Sequence, residues 1–166
     1  MACDLNGGIG KNNTIPWYNL NDMKFFKKTT IATQDKNKKN AVIMGKNTWF
    51  SLPKKPLPFR ENFVITRYPE NINPNIISFS NVNDAIYVMD HKENIESIFI
   101  IGGATLYNYC LRFIPIDSIY YTKINETYDC DTFFTFDETK WNKEIISTDT
   151  IQTTYLFTKP EIKLIR

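Results

Sequence analysis

The chain has 166 residues, 42% of them hydrophobic and 14% aromatic, which suits one domain with a sizeable core. Its formal net charge of +2 is too small to signal nucleic-acid or membrane-surface binding. No apolar run approaches the roughly 18 residues of a membrane span, and no charged-then-apolar leader opens the chain, so a cytoplasmic protein is expected.

In chain order, a glycine-rich stretch, "GGIGKNNT" (7–14), runs into Pro16-Trp17. "PWYNLNDMKFFKK" (16–28) then reads as the entry to an amphipathic helix, with Leu20, Met23, Phe26 and Ile31 on its apolar side. Asp22 stands four residues before Phe26, so the two share a face. Acidic residues stabilise helix N-termini by roughly 0.3–1 kcal/mol; a carboxylate aimed at a ligand is the other reading. Short β-rich runs follow: "AVIM" (41–44), "NFVIT" (62–66), "IISF" (76–79) and "SIFII" (97–101). Helix-like segments separate them, a short one near Thr48 and another capped by Asn81 with Asp84 three residues on. A further helix, "ATLYNYCLRF", follows Gly102-Gly103. Continuous apolar strands alternating with helices predict parallel strands covered on both faces. After residue 116, "SIYYTKI", "TFFTF", "NKEIIST" and "TTYLFT" read as strands with no crossing helix, the last of them antiparallel. The expected fold is α/β: a mixed, mostly parallel sheet flanked by helices, with antiparallel strands at the C-terminal end, in a single domain over 1–166.

Cys3, Cys110 and Cys130 lack metal spacing and are expected as reduced thiols, with no metal site. His91 and the Lys38-Lys39 pair read as solvated residues, and the sequons at Asn12 and Asn125 as accidental. Neither "GGIGKNNT" nor "VIMGKNTW" has phosphate-loop spacing, and a dinucleotide fingerprint fails because Asn13 stands where its third glycine belongs. In "IFIIGGATLY" a strand runs through two glycines into a helix. That is a tight turn, or a place where a ligand approaches the backbone closely. "VIMGKNTW" and "VITRYP" end strands in the same way. Ligands of parallel sheets sit beyond the carboxyl ends of the strands, so Lys46, Thr66 and Arg67 either gather there around a phosphate monoester or are solvated strand ends.

Taken together, "GGIGKNNTIPWYNLNDMKFF", "VIMGKNTW", "PLPFR", "FVITR", "IFIIGGATLY", "IYYTKI", "DCDTFF" and "TYLF" resemble the dihydrofolate reductase family, in its order and at nearly its spacings. The resemblance implies an eight-stranded mixed sheet in a monomer that reduces 7,8-dihydrofolate to tetrahydrofolate with NADPH as hydride donor. Asp22 matches the carboxylate that holds the pterin, Thr122 the hydroxyl sharing its network, and Trp17 the residue holding an ordered water nearby. Phe26 resembles the ring packed on the substrate, Leu52 and Leu57 line the benzoyl slot, and Arg60 matches the partner of the glutamate α-carboxylate. Ala2 falls by a backbone contact to the pterin, and Ile101 between pterin and nicotinamide. The cofactor set is Gly45, Lys46, Thr48, Ser51, Thr66 and Arg67 at strand ends, with Gly102, Gly103, Thr105, Leu106 and Tyr107 at the cis glycine pair and the helix after it. Residues 4–19 match the mobile lid, whose Ile9 and tip residue Ile15 are also expected to bind the cofactor; "DCDT" (129–132) matches the loop that braces it.

The chain departs from the family's pattern at its beginning. The family opens with a central apolar strand before "ACDLNGGIG", whereas Met1 stands almost directly before that stretch, so the first strand is expected to be essentially absent. Three readings compete: a missing amino terminus, a catalytically impaired folate- or NADPH-binding relative, or another segment in the slot, for which "PEIKLIR" at the tail is the candidate. A related NADPH reductase of pterin or pyrimidine biosynthesis is the alternative enzyme; Asp22 with Arg60 argues against it.

Overall fold

A computed structural model describes residues 1–160. In chain order its elements are β1 (Ala2–Cys3), β2 (Gly8–Gly10), α1 (Leu20–Ile31), β3 (Lys39–Gly45), α2 (Lys46–Ser51), β4 (Arg60–Ile65), β5 (Ile77–Phe79), α3 (Val82–Asp90), β6 (Ile95–Ile100), α4 (Ala104–Phe113), β7 (Ser118–Ile124), β8 (Thr132–Phe133), β9 (Asn142–Thr148) and β10 (Gln152–Thr158). The chain divides into two compact units, Asn19–Tyr107 and Met1–Tyr18 with Asn108 onward.

In the unit Asn19–Tyr107 a four-stranded sheet has the order β5-β4-β3-β6, all parallel. Strand β3 is buried from Asn40 to Met44 without alternation, as a central parallel strand covered on both faces must be. Its Val42 and Met44 pack with Trp49, Val64 and Ile72, and Leu52, Leu57, Phe99 and Ile101 close over this cluster. Helices α1 and α3 begin on asparagine caps. The Asn19 side chain accepts from the Asn21 and Asp22 amides, and Asn81 accepts from the Asn83 amide at 2.8 Å. The expected apolar side of α1 needs correction: Leu20 and Met23 are 51% and 48% exposed. The inward stripe runs instead through Asp22 and Phe26 to buried Thr30, three residues at helical i, i+4 spacing.

The other unit carries a sheet of order β1-β7-β10-β9. Strand β10 pairs antiparallel with both β7 and β9, as expected for the C-terminal strands. At the beginning of the chain, β1 consists of Ala2–Cys3 and pairs parallel to β7 with Ala2 opposite Thr122. The tail "PEIKLIR" lies, past Pro160, outside the described residues. Of "TFFTF", only Thr132–Phe133 is strand, and it pairs antiparallel with β2 instead of joining the larger sheet. Glycines make that ribbon possible. A Cβ at Gly7 would stand 3.2 Å from the Phe134 carbonyl oxygen, and the Phe134 amide donates to the Gly7 carbonyl at 2.9 Å. Beyond β2 the chain turns at Lys11–Thr14, with Asn12 and Asn13 at φ 49° and 59°; two left-handed central residues match a type I′ turn. The core of this unit is aromatic: Tyr121, Phe136 and Phe157 meet edge to face, with the Phe136 and Phe157 centroids 5.0 Å apart.

Candidate active site

Asp22 lies in the first turn of α1, half-buried, on the stripe that continues to Phe26 and Thr30. Its charge reaches Tyr107, whose phenol is pushed well above the ordinary range first by burial and second by this carboxylate. One turn below Phe26, the Thr30 hydroxyl donates to the Phe26 carbonyl at 2.7 Å. Its lone pair then accepts from Arg60 Nη1, also at 2.7 Å. Arg60 Nε donates to the Pro58 carbonyl at 3.1 Å, and the guanidinium lies 5.7 Å from the Phe26 ring centroid. Arg60 is 8% exposed and forms no ion pair among the described residues. Burial lowers its pKa. A desolvated cation bound only by neutral acceptors is built to receive an anion.

The loop before Arg60 is shaped by two residues that sequence reasoning passed over. Buried Asn62 accepts from the Leu57 amide and donates to the carbonyls of Leu57 and Arg60, all at 2.9 Å. Phe59 takes φ 63°, a left-handed conformation uncommon for a bulky residue, immediately before Arg60. Thr30 was also missed, although its four-residue spacing from Phe26 was a visible signal.

At the carboxyl edge of the parallel sheet, the register sets Gly45 beside Ile65, which brings Lys46 and Thr66 to neighbouring strand ends. Strand β6 delivers Ile101 and the glycine pair to the same edge: the Gly45 amide donates to the Gly102 carbonyl at 2.7 Å. The Gly102-Gly103 bond is cis, and Gly102 has φ +118°. A Cβ there would stand 3.2 Å from the Tyr107 hydroxyl, and one on Gly103 would stand 3.6 Å from Thr48 Oγ1. A side chain at Gly102 would crowd the Tyr107 phenol and strain a left-handed backbone, so this position forms a glycine cradle in the backbone. Helix α4 leaves it at once, the Tyr107 amide closing its first turn on the Gly103 carbonyl at 3.0 Å, with Thr105 exposed and Leu106 buried. Lys46 and Arg67 are exposed and form no ion pair among the described residues. Thr66 is buried and its hydroxyl caps the Tyr68 amide at 3.3 Å; Ser51 donates to the Thr48 carbonyl at 2.9 Å. Gly45, Lys46, Thr48, Thr66, Ile101 and the glycine pair are therefore gathered at one edge, where α/β sheets hold ligands.

The remaining expected site residues belong to the other unit. Thr122 is buried on β7, its hydroxyl 3.2 Å from that of Thr154, with Ala2 opposite it on β1. Ile9 packs on the Cys3, Tyr121 and Phe157 cluster, and Ile15 is 64% exposed. Trp17 rests against Tyr128, centroids 5.3 Å apart.

The parallel strands of this unit end at a two-glycine turn, with a buried guanidinium in the same unit, and the carboxyl ends of such strands are where α/β sheets hold small ligands. The family model described as dihydrofolate reductase matches residues 1–158, and the chain belongs to that family. It is 38% identical to the dihydrofolate reductase of Heliothis virescens over 80% of this chain and 75% of that protein. It is likewise 38% identical to the viral dihydrofolate reductase of Saimiriine herpesvirus 2, over 81% of this chain and 66% of the relative. A bifunctional dihydrofolate reductase-thymidylate synthase of Daucus carota matches at 38% over 80% of this chain and 27% of its own length. The family makes this chain an oxidoreductase of folate metabolism.

Proposed function

We propose that the chain reduces 7,8-dihydrofolate to 5,6,7,8-tetrahydrofolate with NADPH. The observation that carries this reading is the pairing, along one face of α1, of an inward carboxylate at Asp22 with a buried guanidinium at Arg60 held through Thr30. An acid and a cation separated by two helical turns suit the two ends of one ligand: a heterocycle edge rich in N–H groups and an acidic tail. Asp22 binds the 2-amino group and N3 of the pterin, and Arg60 takes the α-carboxylate of the glutamate in a two-pronged contact that a lysine cannot make. Phe26, Leu52 and Leu57 supply the apolar walls between them and exclude water from the reacting rings.

The glycine cradle fits a nicotinamide ring laid against backbone, and Lys46, Thr66 and Arg67 fit the 2′-phosphate of NADPH. When bound, the cofactor supplies the hydride that reaches pterin C6, and N5 gains a proton from solvent by way of the protein. The chain's residues orient the substrate and keep the site dry. The family resemblance also implies a water-holding role for Trp17 and a hydrogen-bonding role for the Thr122 hydroxyl.

Purified protein mixed with NADPH and dihydrofolate tests the reading. The expected result is loss of NADPH absorbance that requires dihydrofolate and is blocked by an antifolate diaminopyrimidine. Tight binding of both ligands with no oxidation would instead identify a non-catalytic relative.

A further inference from the structure

Asp4 is a charged side chain with no part in the chemistry above, yet it is fully buried and no ion pair involves it among the described residues. Its two oxygens face two different stretches of chain. Oδ1 accepts from the Asn6 amide at 2.9 Å and the Gly8 amide at 2.7 Å, which sets the start of β2. Oδ2 accepts from the Tyr128 amide at 2.9 Å, 124 residues away, with the Cys130 thiol at 3.9 Å. Tyr128 is fixed a second time at its other end, where its phenol donates to Glu126 at 2.7 Å. The Tyr128 ring is the surface on which Trp17 rests. One carboxylate thus sets both ends of the segment from Gly8 to Trp17.

The choice of a buried charge has a chemical reason. Three N–H donors arrive from two sides, and only a carboxylate accepts on both of its oxygens. An asparagine has one acceptor, and its amide nitrogen would meet an N–H head on. Charge-assisted bonds to all three donors offset the cost of desolvation.

We propose that Asp4 is a positioning residue that holds Trp17 in place through Tyr128, and so registers the 8–17 segment for turnover. The inference rests on the reading of Trp17 as a residue of the reductase site. Asp4→Asn is the first test, because the isosteric side chain can keep the Gly8 side or the Tyr128 side, not both. The expected result is a folded protein in which the Trp17 indole N–H resonance, assigned with Trp17→Phe, shifts or broadens while those of Trp49 and Trp141 stay. Turnover should fall about tenfold with a smaller change in KM for dihydrofolate, since small misplacements near a reacting centre are costly in rate. Tyr128→Leu, which removes the ring and keeps the amide, should reproduce the indole shift, and the double variant should add little to it. A folded Asp4→Asn with an unmoved Trp17 indole overturns the proposal. If Asp4→Asn does not fold, Tyr128→Leu decides: a shifted indole supports the tether and an unmoved one overturns it. Absence of dihydrofolate-dependent NADPH oxidation in the unsubstituted chain would defeat the proposed function and leave the indole measurement valid for Asp4.

Discussion

Arg60 keeps its charge where water is scarce, supported by Thr30 Oγ1, the Pro58 carbonyl and the face of Phe26. None of these supports is an anion, so the guanidinium retains capacity for one. Replacing it with lysine loses the forked geometry. Hydrogen bonds to charged groups are worth about 1.5–3 kcal/mol, so Arg60→Lys should raise KM for dihydrofolate roughly tenfold or more. Turnover at saturation should change little, because the proposed tail contact would be made equally in ground and transition states. Asp22 should behave oppositely. It stands in the first turn of α1, where Asn19 already caps the helix, so Asp22→Asn should cost no more than about 1 kcal/mol of stability in urea unfolding. The same substitution should depress turnover by about 100-fold or more if Asp22 has the proposed role of contacting the reacting ring. The pattern Asp22, Phe26, Thr30 is legible in the sequence as one helical stripe. That Arg60 meets its end is not legible, because that contact depends on the loop braced by Asn62.

Two junctions between elements, one in each unit, fix segments by side-chain hydrogen bonds. At the first, Asn40 of β3 donates from its amide nitrogen to the carbonyls of Thr30 and Ala32, at 3.2 and 2.7 Å, and so ties the last turn of α1 to the sheet. The two carbonyls it serves are helix-end acceptors with no partner inside the helix. Asn40→Ala should lower unfolding free energy by on the order of 1–3 kcal/mol, read from denaturant midpoints. At the second junction, Asp131 beside β8 accepts from the Asn12 amide at 2.8 Å and holds the turn between Lys11 and Thr14. This bond comes first among the causes that lower the Asp131 pKa, followed by the Thr132 hydroxyl. A carboxylate depressed in the folded state contributes its stabilisation above the ordinary value of about 3.8, and loses it as pH falls through the lower folded value. Exchange of the Asn12 amide should therefore be slow at neutral pH and accelerate, relative to its intrinsic rate, only in acid below about 3.8. Faster relative exchange already near neutrality would contradict that sign. The β2–β8 ribbon was hidden from sequence reading because its strands are two and three residues long and consist largely of glycine on one side, too short for any periodicity.

Across the whole molecule the three cysteines are free, and their reactivity should follow burial. Cys110 on α4 is 1% exposed and burial pushes its thiol up to about 11, while fully buried Cys3 is raised by burial and donates to the Tyr121 phenol at 2.8 Å. Cys130 is partly exposed. Iodoacetamide on the folded protein should label Cys130 first at alkaline pH, with Cys3 and Cys110 reached only on unfolding, as mass spectrometry of digests can show. The sequence by itself determined the class of fold, the bounds of β7, β9 and α4, and the cap of α3, because these depend on local periodicity and capping chemistry. It also determined the family, since eight motifs stand in the family's order along a chain whose residues 1–158 match the family model. Only the tertiary structure decided that the first strand is a two-residue pairing against β7, and that Leu20 and Met23 face outward. It alone revealed that a single carboxylate at Asp4 spans 124 residues to Tyr128. Pairing partners, burial and buried-charge bonds depend on which distant segments meet, and a one-dimensional pattern of residues carries no distance between them.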